Sequence, residues 1–236
     1  MRESYQHDLT YLEGRTREAI AAARDALEQL VEAVIERDTE IIAEVIADDD
    51  RLDELYQEIH REMLAIIARQ APVAGDLRLL TGLGMMGLHL ERVGDSCVNI
   101  AKMLQLAGDG GPENDLLARF AAIGKELISM LDQAGLALQQ RDVALAVDLV
   151  ERDDEIDRAN RRIFELATLA ELPEDARQWA GCMLLIGRSF ERIGDHIVDL
   201  GELIAFIVTG TFEEFSDASH EQNLGAVGDW LAARQA

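Results

Sequence analysis

The pentapeptide Glu91-Arg92-Val93-Gly94-Asp95 recurs 100 residues later as Glu191-Arg192-Ile193-Gly194-Asp195. A second pair of segments repeats at an offset of 104 residues, where Asp49-Asp50-Arg51-Leu52-Asp53 matches Asp153-Asp154-Glu155-Ile156-Asp157. Self-similarity at a long, nearly constant spacing indicates an architecture built from copies of one unit. We therefore predict two copies, divided at the strongest breaker in the chain, Gly108-Asp109-Gly110-Gly111-Pro112.

The segments between the breakers have the pattern of long helices. Apolar residues recur every three or four positions, and the 236 residues include only three prolines. Softer breaks with capping character fall at Arg37-Asp38-Thr39 and at Arg141-Asp142. We predict six helices, over residues 5–36, 39–69, 74–107, 114–140, 142–170 and 174–209.

Long helices joined by short turns form antiparallel bundles. The predicted fold class is all-α, with two tandem, pseudo-symmetric three-helix bundles made of six long antiparallel helices. The first repeat is expected over residues 1–109 and the second over 110–210. The acidic tail at 211–236 is expected to hold one short helix around Trp230, or little order.

Acidic residues dominate the charge of the chain. There are 46 Asp and Glu against 22 Lys and Arg, which gives a formal net charge of −24. Such a surface repels nucleic acid and anionic lipid and favours cations or a basic protein face. The N-terminus has no apolar signal core, no apolar stretch approaches the roughly 18 residues of a membrane span, and Cys97 and Cys182 form no CxxC pair. We expect a cytoplasmic protein with reduced thiols, no nucleic-acid partner and no direct membrane insertion.

Acidic side chains interrupt the apolar faces of four predicted helices. On a helical wheel, two aspartates four residues apart share the apolar face of the second helix, and another such pair shares that of the fifth. The third and sixth helices each carry a glutamate and an aspartate on one face, with a further polar residue one turn on. The resulting candidate metal ligands are Asp49, Asp53, Glu91, Asp95 and Asn99 in the first repeat, and Asp153, Asp157, Glu191, Asp195 and Asp199 in the second.

Four carboxylates in an apolar groove cannot all stay charged without compensation, because burial and like-charge repulsion both oppose ionisation. They must be protonated, paired with Arg92 or Arg192, or neutralised by metal. A carboxylate-rich oxygen set favours hard cations such as Mg, Mn, Ca or ferric iron, and it can bridge more than one ion. The alternative is that these acids lie at a helix edge and simply meet arginines.

At these residues the chain resembles the PhoU family, the phosphate-transport regulators of bacteria and archaea. The resemblance rests on Arg69-Gln70-Ala71-Pro72-Val73-Ala74-Gly75-Asp76-Leu77-Arg78, on the run from Glu91 to Ala101, and on a degenerate second copy from Glu191 to Glu202. It implies two three-helix bundles that bind multinuclear metal, whether iron, zinc, manganese or magnesium, through E/DxxxD pairs. Those pairs match Asp49/Asp53 with Glu91/Asp95, and Asp153/Asp157 with Glu191/Asp195. The second copy departs from the first where Asp199 replaces Asn99.

The resemblance also implies a function. It points to a negative regulator of phosphate uptake and of the phosphate-starvation response, which acts as a metal-binding adaptor without catalysis. Its implied partners are the phosphate ABC transporter, through the ATPase PstB, and the sensor histidine kinase PhoR. A homo-oligomer, most simply a homodimer, is expected.

Two other functions stay open at the level of the sequence. The first is a di-iron-type carboxylate enzyme in a helical bundle, a class that normally carries Glu-x-x-His. None of the five histidines has a glutamate three residues before it, which argues against this class without excluding an all-carboxylate variant. The second is a metal-free scaffold with acidic faces.

Other chemically suggestive residues receive structural interpretations. The segment Gly82-Leu83-Gly84-Met85-Met86-Gly87 matches GxGxxG, but no strand precedes it, so small residues for helix packing are expected. His60 is expected to be a bundle histidine rather than a ligand. His196, beside Asp195, stays ambiguous, and His89 lies nearly opposite Glu91 on the wheel.

Overall fold

The computed structural model describes residues 2–47, 50–108, 116–169, 177–215 and 225–235, and the regular structure in these ranges is entirely helical. The all-α prediction is therefore confirmed. Asp49, the repeat boundary expected at 109/110, and the predicted helix ends at 114, 170 and 174 lie outside the described residues.

Long helices follow one another with short connections. The helix predicted over 39–69 is described as two helices on either side of residues 48 and 49, and the short helix expected around Trp230 is present. The helices are α1 (Arg2–Glu36), α2 (Thr39–Ala47), α3 (Asp50–Gln70), α4 (Ala74–Ala107), α5 (Leu116–Gln140), α6 (Val143–Leu169), α7 (Arg177–Thr209) and α8 (Gly225–Gln235).

The Arg-Asp dipeptides form equivalent turns in the two repeats. Arg37 and Arg141 both take left-handed backbone conformations, with φ of 54° and 55°, which end α1 and α5. The next residue caps the following helix. Asp38 Oδ1 accepts the backbone N–H two residues further on at 2.7 Å, and Asp142 Oδ1 does the same at 2.9 Å. The capping predicted at both breaks is confirmed.

The two repeats pack against each other over two long seams. Within the first repeat α1 packs on α3 and α4, and within the second α5 packs on α6 and α7. Between the repeats α4 packs along α7, and α1 along α5. Buried residues from both repeats accordingly belong to one continuous hydrophobic cluster, in which Phe120 and Phe190 stack with ring centroids 5.6 Å apart.

The glycines of the GxGxxG match face two helices: Gly82 faces α7, and Gly84 and Gly87 face α3. The match lies wholly inside α4, and a Cβ added at Gly82 would come within 2.6 Å of Ile207 Cγ1 on α7. Only a residue without a side chain lets the two helices approach this closely. The packing interpretation is confirmed. No described helix combines the length and the apolar character that crossing a bilayer would require.

Candidate metal centre

Glycines on α7 bring the second acidic cluster against the helix backbone. Gly187, Gly194 and Gly201 are spaced by seven residues and face positions 160, 153 and 146 of α6. A Cβ at Gly201 would lie 2.7 Å from the carbonyl oxygen of residue 146, and a Cβ at Gly194 would overlap Asp153 Oδ1. The antiparallel pair therefore keeps room for a carboxylate inside the bundle, where a larger α7 residue would exclude it.

The structure brings together the four predicted acids at the E/DxxxD positions of the second repeat. Burial, with the charges of Asp157, Asp195 and Glu191 adding to it, raises the pKa of Asp153 to about 8. Burial and the charge of Glu191 raise the pKa of Asp157, and loss of hydration together with Glu191 and Asp157 raises that of Asp195. Each carboxylate thus lies within electrostatic reach of the others, as the helical wheel predicted.

Two carboxylate oxygens of this cluster are left without partners. Oδ1 of Asp153 and Oδ1 of Asp157 are buried and make no hydrogen bond within the described part of the chain. A buried, unsatisfied carboxylate oxygen is unfavourable, since it has lost its water without gaining a donor. Both atoms are available as ligands of a cation.

Glu191 is held by a residue that the sequence analysis missed. Asn160 Nδ2 donates to the Gly187 carbonyl oxygen at 2.9 Å and to Glu191 Oε2 at 3.2 Å, while Arg188 forms an ion pair with Glu191 Oε1. Asn160 corresponds to Tyr56 at the offset of 104, so comparison of the repeats gave no signal for it. The arginine expected here, Arg192, is exposed.

These side chains border a groove of about 280 Å³ between α6 and α7. Arg161 lies at its rim, with Nη1 3.9 Å from Asp157 Oδ2. The polar residues that line the groove are Asp157, Asn160, Arg161, Arg188 and Glu191.

The first acidic cluster is compensated differently. A Cβ at Gly94 would lie 2.7 Å from Leu52 Cδ1, which places the neighbouring Asp53 of α3 level with the middle of the Glu91–Asp95 segment of α4. Arg92 spans that segment, with Nε 3.2 Å from Glu91 Oε2 and Nη1 3.0 Å from Asp95 Oδ2. Arginine pairing, one of the alternatives open at the level of the sequence, is present here.

The two remaining candidates of the first repeat are Asn99 and Asp49. Asn99 is exposed, and Asp49 lies outside the described residues. Asp53 lies at the height of Glu91 and Asp95, and a cation bound by Glu91 and Asp95 would compete with the Arg92 guanidinium.

Asp199 lies with two histidines. Its Oδ2 is 3.0 Å from His89 Nδ1 on α4 and 3.4 Å from His196 Nδ1 on α7, and the two Nδ1 atoms are 3.4 Å apart. Although burial acts to raise it, the hydrogen bonds from His196 and His89 hold the pKa of Asp199 well below its usual range. Neither histidine is repeated in the other half of the chain, where Ser189 and Ser96 take the equivalent positions. Self-comparison therefore gave no signal for this group.

The residues of the second cluster fit the multivalent cations that the resemblance implies. The donor set is made of carboxylate oxygens with one amide, which are the ligands that hard cations prefer. A cation there would offset the like-charge repulsion that raises the pKa of Asp153, Asp157 and Asp195. The unpartnered Oδ1 atoms would gain a ligand, and Asn160 and Arg188 would hold Glu191 in place.

Fold and site together define a class: a tandem three-helix repeat protein whose acidic side chains cluster between neighbouring helices, partly buried and partly open to solvent. The particular family follows from comparison with known proteins. The PhoU domain model matches residues 16–104 and 120–204, and the chain belongs to the PhoU family.

Named relatives and solved structures agree with this assignment. The chain is 30% identical over 210 residues to the phosphate-specific transport system accessory protein PhoU homolog of Caulobacter vibrioides, with 88% of this chain and 91% of that protein covered. It is 33% identical over 212 residues to PhoU homolog 1 of Mycobacterium tuberculosis, covering 89% and 95%.

Two crystal structures share the fold. The phosphate transport system regulatory protein PhoU from Streptococcus pneumoniae matches with a TM-score of 0.82 at 20% identity, covering 89% of this chain and 99% of that one. PhoU from Pseudomonas aeruginosa matches with a TM-score of 0.72 at 28% identity, covering 89% and 97%.

Proposed function

We propose that this protein is an accessory regulator of a phosphate transport system, which restrains phosphate uptake and the phosphate-starvation response through protein contacts. The observation that carries the proposal is the family match over both repeats, together with relatives of that description at 30–33% identity over almost nine tenths of the chain. Regulation by contact requires no catalytic step. The function would therefore depend on a surface that binds other proteins, and on whether the acidic clusters beneath that surface hold metal.

The acidic clusters would bind multivalent metal ions such as iron, zinc, manganese or magnesium. In the second repeat Asp153, Asp157, Glu191 and Asp195 would be the ligands, and the bound ion would supply positive charge that offsets carboxylate repulsion. Asn160 and Arg188 would orient Glu191 by their contacts with its two oxygens. Metal binding of this kind contributes to folding free energy and rigidifies the adjoining surface.

The charge of the molecule supports a partner with a basic face. A net charge of −24 favours fast, salt-sensitive association with positively charged protein surfaces. By family resemblance the partners would be the transporter ATPase PstB and the sensor histidine kinase PhoR, met at the cytoplasmic side by a homodimer. Binding to either should weaken as salt concentration rises, because the attraction is screened.

The regulatory role is tested by capture of the untagged protein on immobilised ATPase and kinase, followed by deletion of the gene in its host. We expect capture by at least one of the two, and expression of starvation genes at high phosphate in the deletion strain. Capture by neither partner, with unchanged expression after deletion, would contradict the proposal.

The metal sites are tested by elemental analysis of protein purified without a histidine tag. The Asp157→Asn/Glu191→Gln double variant should contain less metal than the wild type. A matched control is Glu151→Gln/Glu155→Gln, which removes the same charge from exposed positions of α6 and should leave the metal content unchanged. Equal metal content in both variants would contradict a site at the second cluster.

The enzyme alternative makes a different prediction for ferrous iron. A di-iron enzyme would consume oxygen over many turnovers, whereas a regulator would bind iron without sustained consumption. We expect oxygen uptake, if any, to stop at a few equivalents per chain. Continued turnover would replace the regulatory proposal with the enzyme.

A further inference from the structure

His89, His196 and Asp199 meet at the seam between the two repeats. His89 belongs to α4, and His196 and Asp199 belong to α7, where they are one turn apart. The side chains of His89 and His196 are 21% and 19% exposed, so the group is neither at the surface nor fully enclosed. Nε2 of His196 is buried without a hydrogen bond in the described part of the chain, which leaves Nδ1 as the nitrogen through which this ring meets the other two side chains.

The spacing of the three donor atoms matches that of a tetrahedral metal site. They are separated by 3.0, 3.4 and 3.4 Å, so a point about 1.9 Å from each lies in their plane. Zinc bonds to imidazole nitrogen and carboxylate oxygen are about 2.0–2.2 Å long, and ligands at tetrahedral angles are then roughly 3.3–3.5 Å apart. An ion just outside the plane of the three atoms would reach all of them with little movement of the side chains.

The donor types distinguish this group from the carboxylate clusters. Two imidazole nitrogens with one carboxylate oxygen favour a borderline transition metal such as Zn²⁺ or Co²⁺, whereas Mg²⁺ and Ca²⁺ require oxygen ligands. The group also borders a groove of about 420 Å³ that is lined by Asp153, Asp195 and Glu202. A fourth coordination position on that side would be open to water.

We propose that His89, His196 and Asp199 form a binding site for a single Zn²⁺-type ion that links α4 to α7, and thus one repeat to the other. The site differs from the E/DxxxD clusters in its side chains, its metal chemistry and its use of both halves of the chain, and it shares a groove with Asp153 and Asp195 of the second cluster. It does not depend on the proposed regulatory function. Because an ion bound to the folded protein stabilises it by mass action, occupation would strengthen the packing of the two repeats.

Co²⁺ is the probe that separates the two kinds of site. Tetrahedral Co²⁺ with nitrogen ligands absorbs strongly in the visible range, whereas octahedral Co²⁺ in an all-oxygen site absorbs weakly. We expect metal-free protein titrated with cobalt chloride to develop the strong bands up to one equivalent per chain, and zinc chloride to abolish them. Weak bands alone would overturn the proposal.

Single substitutions test whether the strong Co²⁺ absorption bands arise from an ion bound by these three residues. His89→Gln and His196→Gln retain a polar side chain beside Asp199, and each should weaken Co²⁺ and Zn²⁺ binding at least 10–100-fold, since even loss of an outer-sphere partner has that effect. His7→Gln replaces an exposed histidine of α1 and is the matched control, with affinity expected to be unchanged. Wild-type affinity in both His89→Gln and His196→Gln would overturn the assignment.

Two further variants distinguish this site from the acidic cluster and from a loss of binding caused by misfolding. Asp157→Asn/Glu191→Gln removes ligands of the acidic cluster and should leave the strong bands intact; their loss there would place the ion in that cluster instead. Asp199→Asn keeps the size of the side chain and removes its charge, so it should weaken zinc binding even if a histidine variant fails to fold. The Zn²⁺-induced rise in melting temperature should be smaller in Asp199→Asn than in the wild type, because only the carboxylate clusters would still bind zinc there. An equal rise in both would show that the three side chains are a hydrogen-bonded group only.

Discussion

Asp153 occupies a position that a hydrophobic residue would ordinarily fill. Its carboxylate points at the backbone of α7 where Gly194 leaves room, and one of its oxygens is buried without a partner. Burial and the surrounding acids raise its pKa from 3.8 to about 8, so in metal-free protein the group is largely protonated at neutral pH. The residue therefore lowers stability unless a proton or a cation neutralises it.

Replacement of Asp153 by Asn should stabilise the metal-free protein at high pH. The folded state holds the Asp153 proton more tightly than the unfolded chain does, so the wild type loses stability as pH rises from about 4 to about 8. Asp153→Asn should flatten that slope and, at about pH 8, raise the free energy of unfolding by on the order of 2 kcal/mol. Urea unfolding at several pH values in the presence of a chelator measures this slope, with the exposed Glu155→Gln on the same helix as control. An unchanged slope would show that Asp153 titrates normally.

Gly194 should be intolerant of even one methyl group. Gly194→Ala would overlap Asp153 Oδ1 and force the carboxylate or α7 to move, which should lower the free energy of unfolding by about 1–3 kcal/mol and weaken metal binding at the second cluster. Gly181→Ala is the matched control on the same helix, where nothing lies within 4 Å, and it should be stabilising by about 0.5–1 kcal/mol. Similar melting temperatures for the two variants would contradict close packing of Gly194 against Asp153.

At the scale of the helix elements, the Arg-Asp turns show what the sequence predicts well. The turn residues act on neighbours a few positions away, so their pattern alone indicates where one helix ends and the next begins. Both turns then use the same left-handed arginine and the same aspartate cap. Local chemistry of this kind does not depend on which helices later pack together.

Arg37 and Arg141 should respond differently to glycine. Both are left-handed, a conformation that glycine adopts more readily, so Arg37→Gly should raise the free energy of unfolding by about 0.5–1 kcal/mol. Arg141 also donates through Nη2 to Glu13 Oε1 at 2.7 Å, and the loss of this ion pair should cancel the gain in Arg141→Gly. Thermal denaturation of the two variants measures the difference. Equal stabilisation would mean that the pair with Glu13 contributes nothing.

The placement of Asp199 shows where prediction from single helices fails. The wheel puts Asp199 on the face of Glu191 and Asp195, which is correct for an isolated helix. Its partners, however, are decided by α4, which packs along α7 and brings His89 to it. Contacts between residues 110 positions apart leave no periodic signal in one sequence, whereas the E/DxxxD pairs repeat and could be predicted.

On the scale of the whole molecule, the two sequence repeats do not fold around two separate hydrophobic cores. Most buried apolar residues of both repeats form one hydrophobic cluster, joined where α4 meets α7 and where α1 meets α5, and a small second cluster joins α6, α7 and α8. Duplication was visible in the sequence because it preserves local spacing. The seam between the repeats could not be predicted from the sequence. Apolar residues that face the other repeat recur with the same helical period as apolar residues that face their own repeat.

Unfolding should therefore be a single cooperative transition. Phe190 is fully buried in the second repeat and stacks on Phe120, so Phe190→Ala should lower the free energy of unfolding by about 3–5 kcal/mol. Because the core is continuous, amide protons of α3 in the first repeat should lose protection against hydrogen exchange by the same free energy as those of α6. Calorimetry should show one peak for both proteins, with equal calorimetric and van't Hoff enthalpies. Loss of protection in α6 alone, or two separate peaks, would show that each repeat unfolds independently and that the seams couple them only weakly.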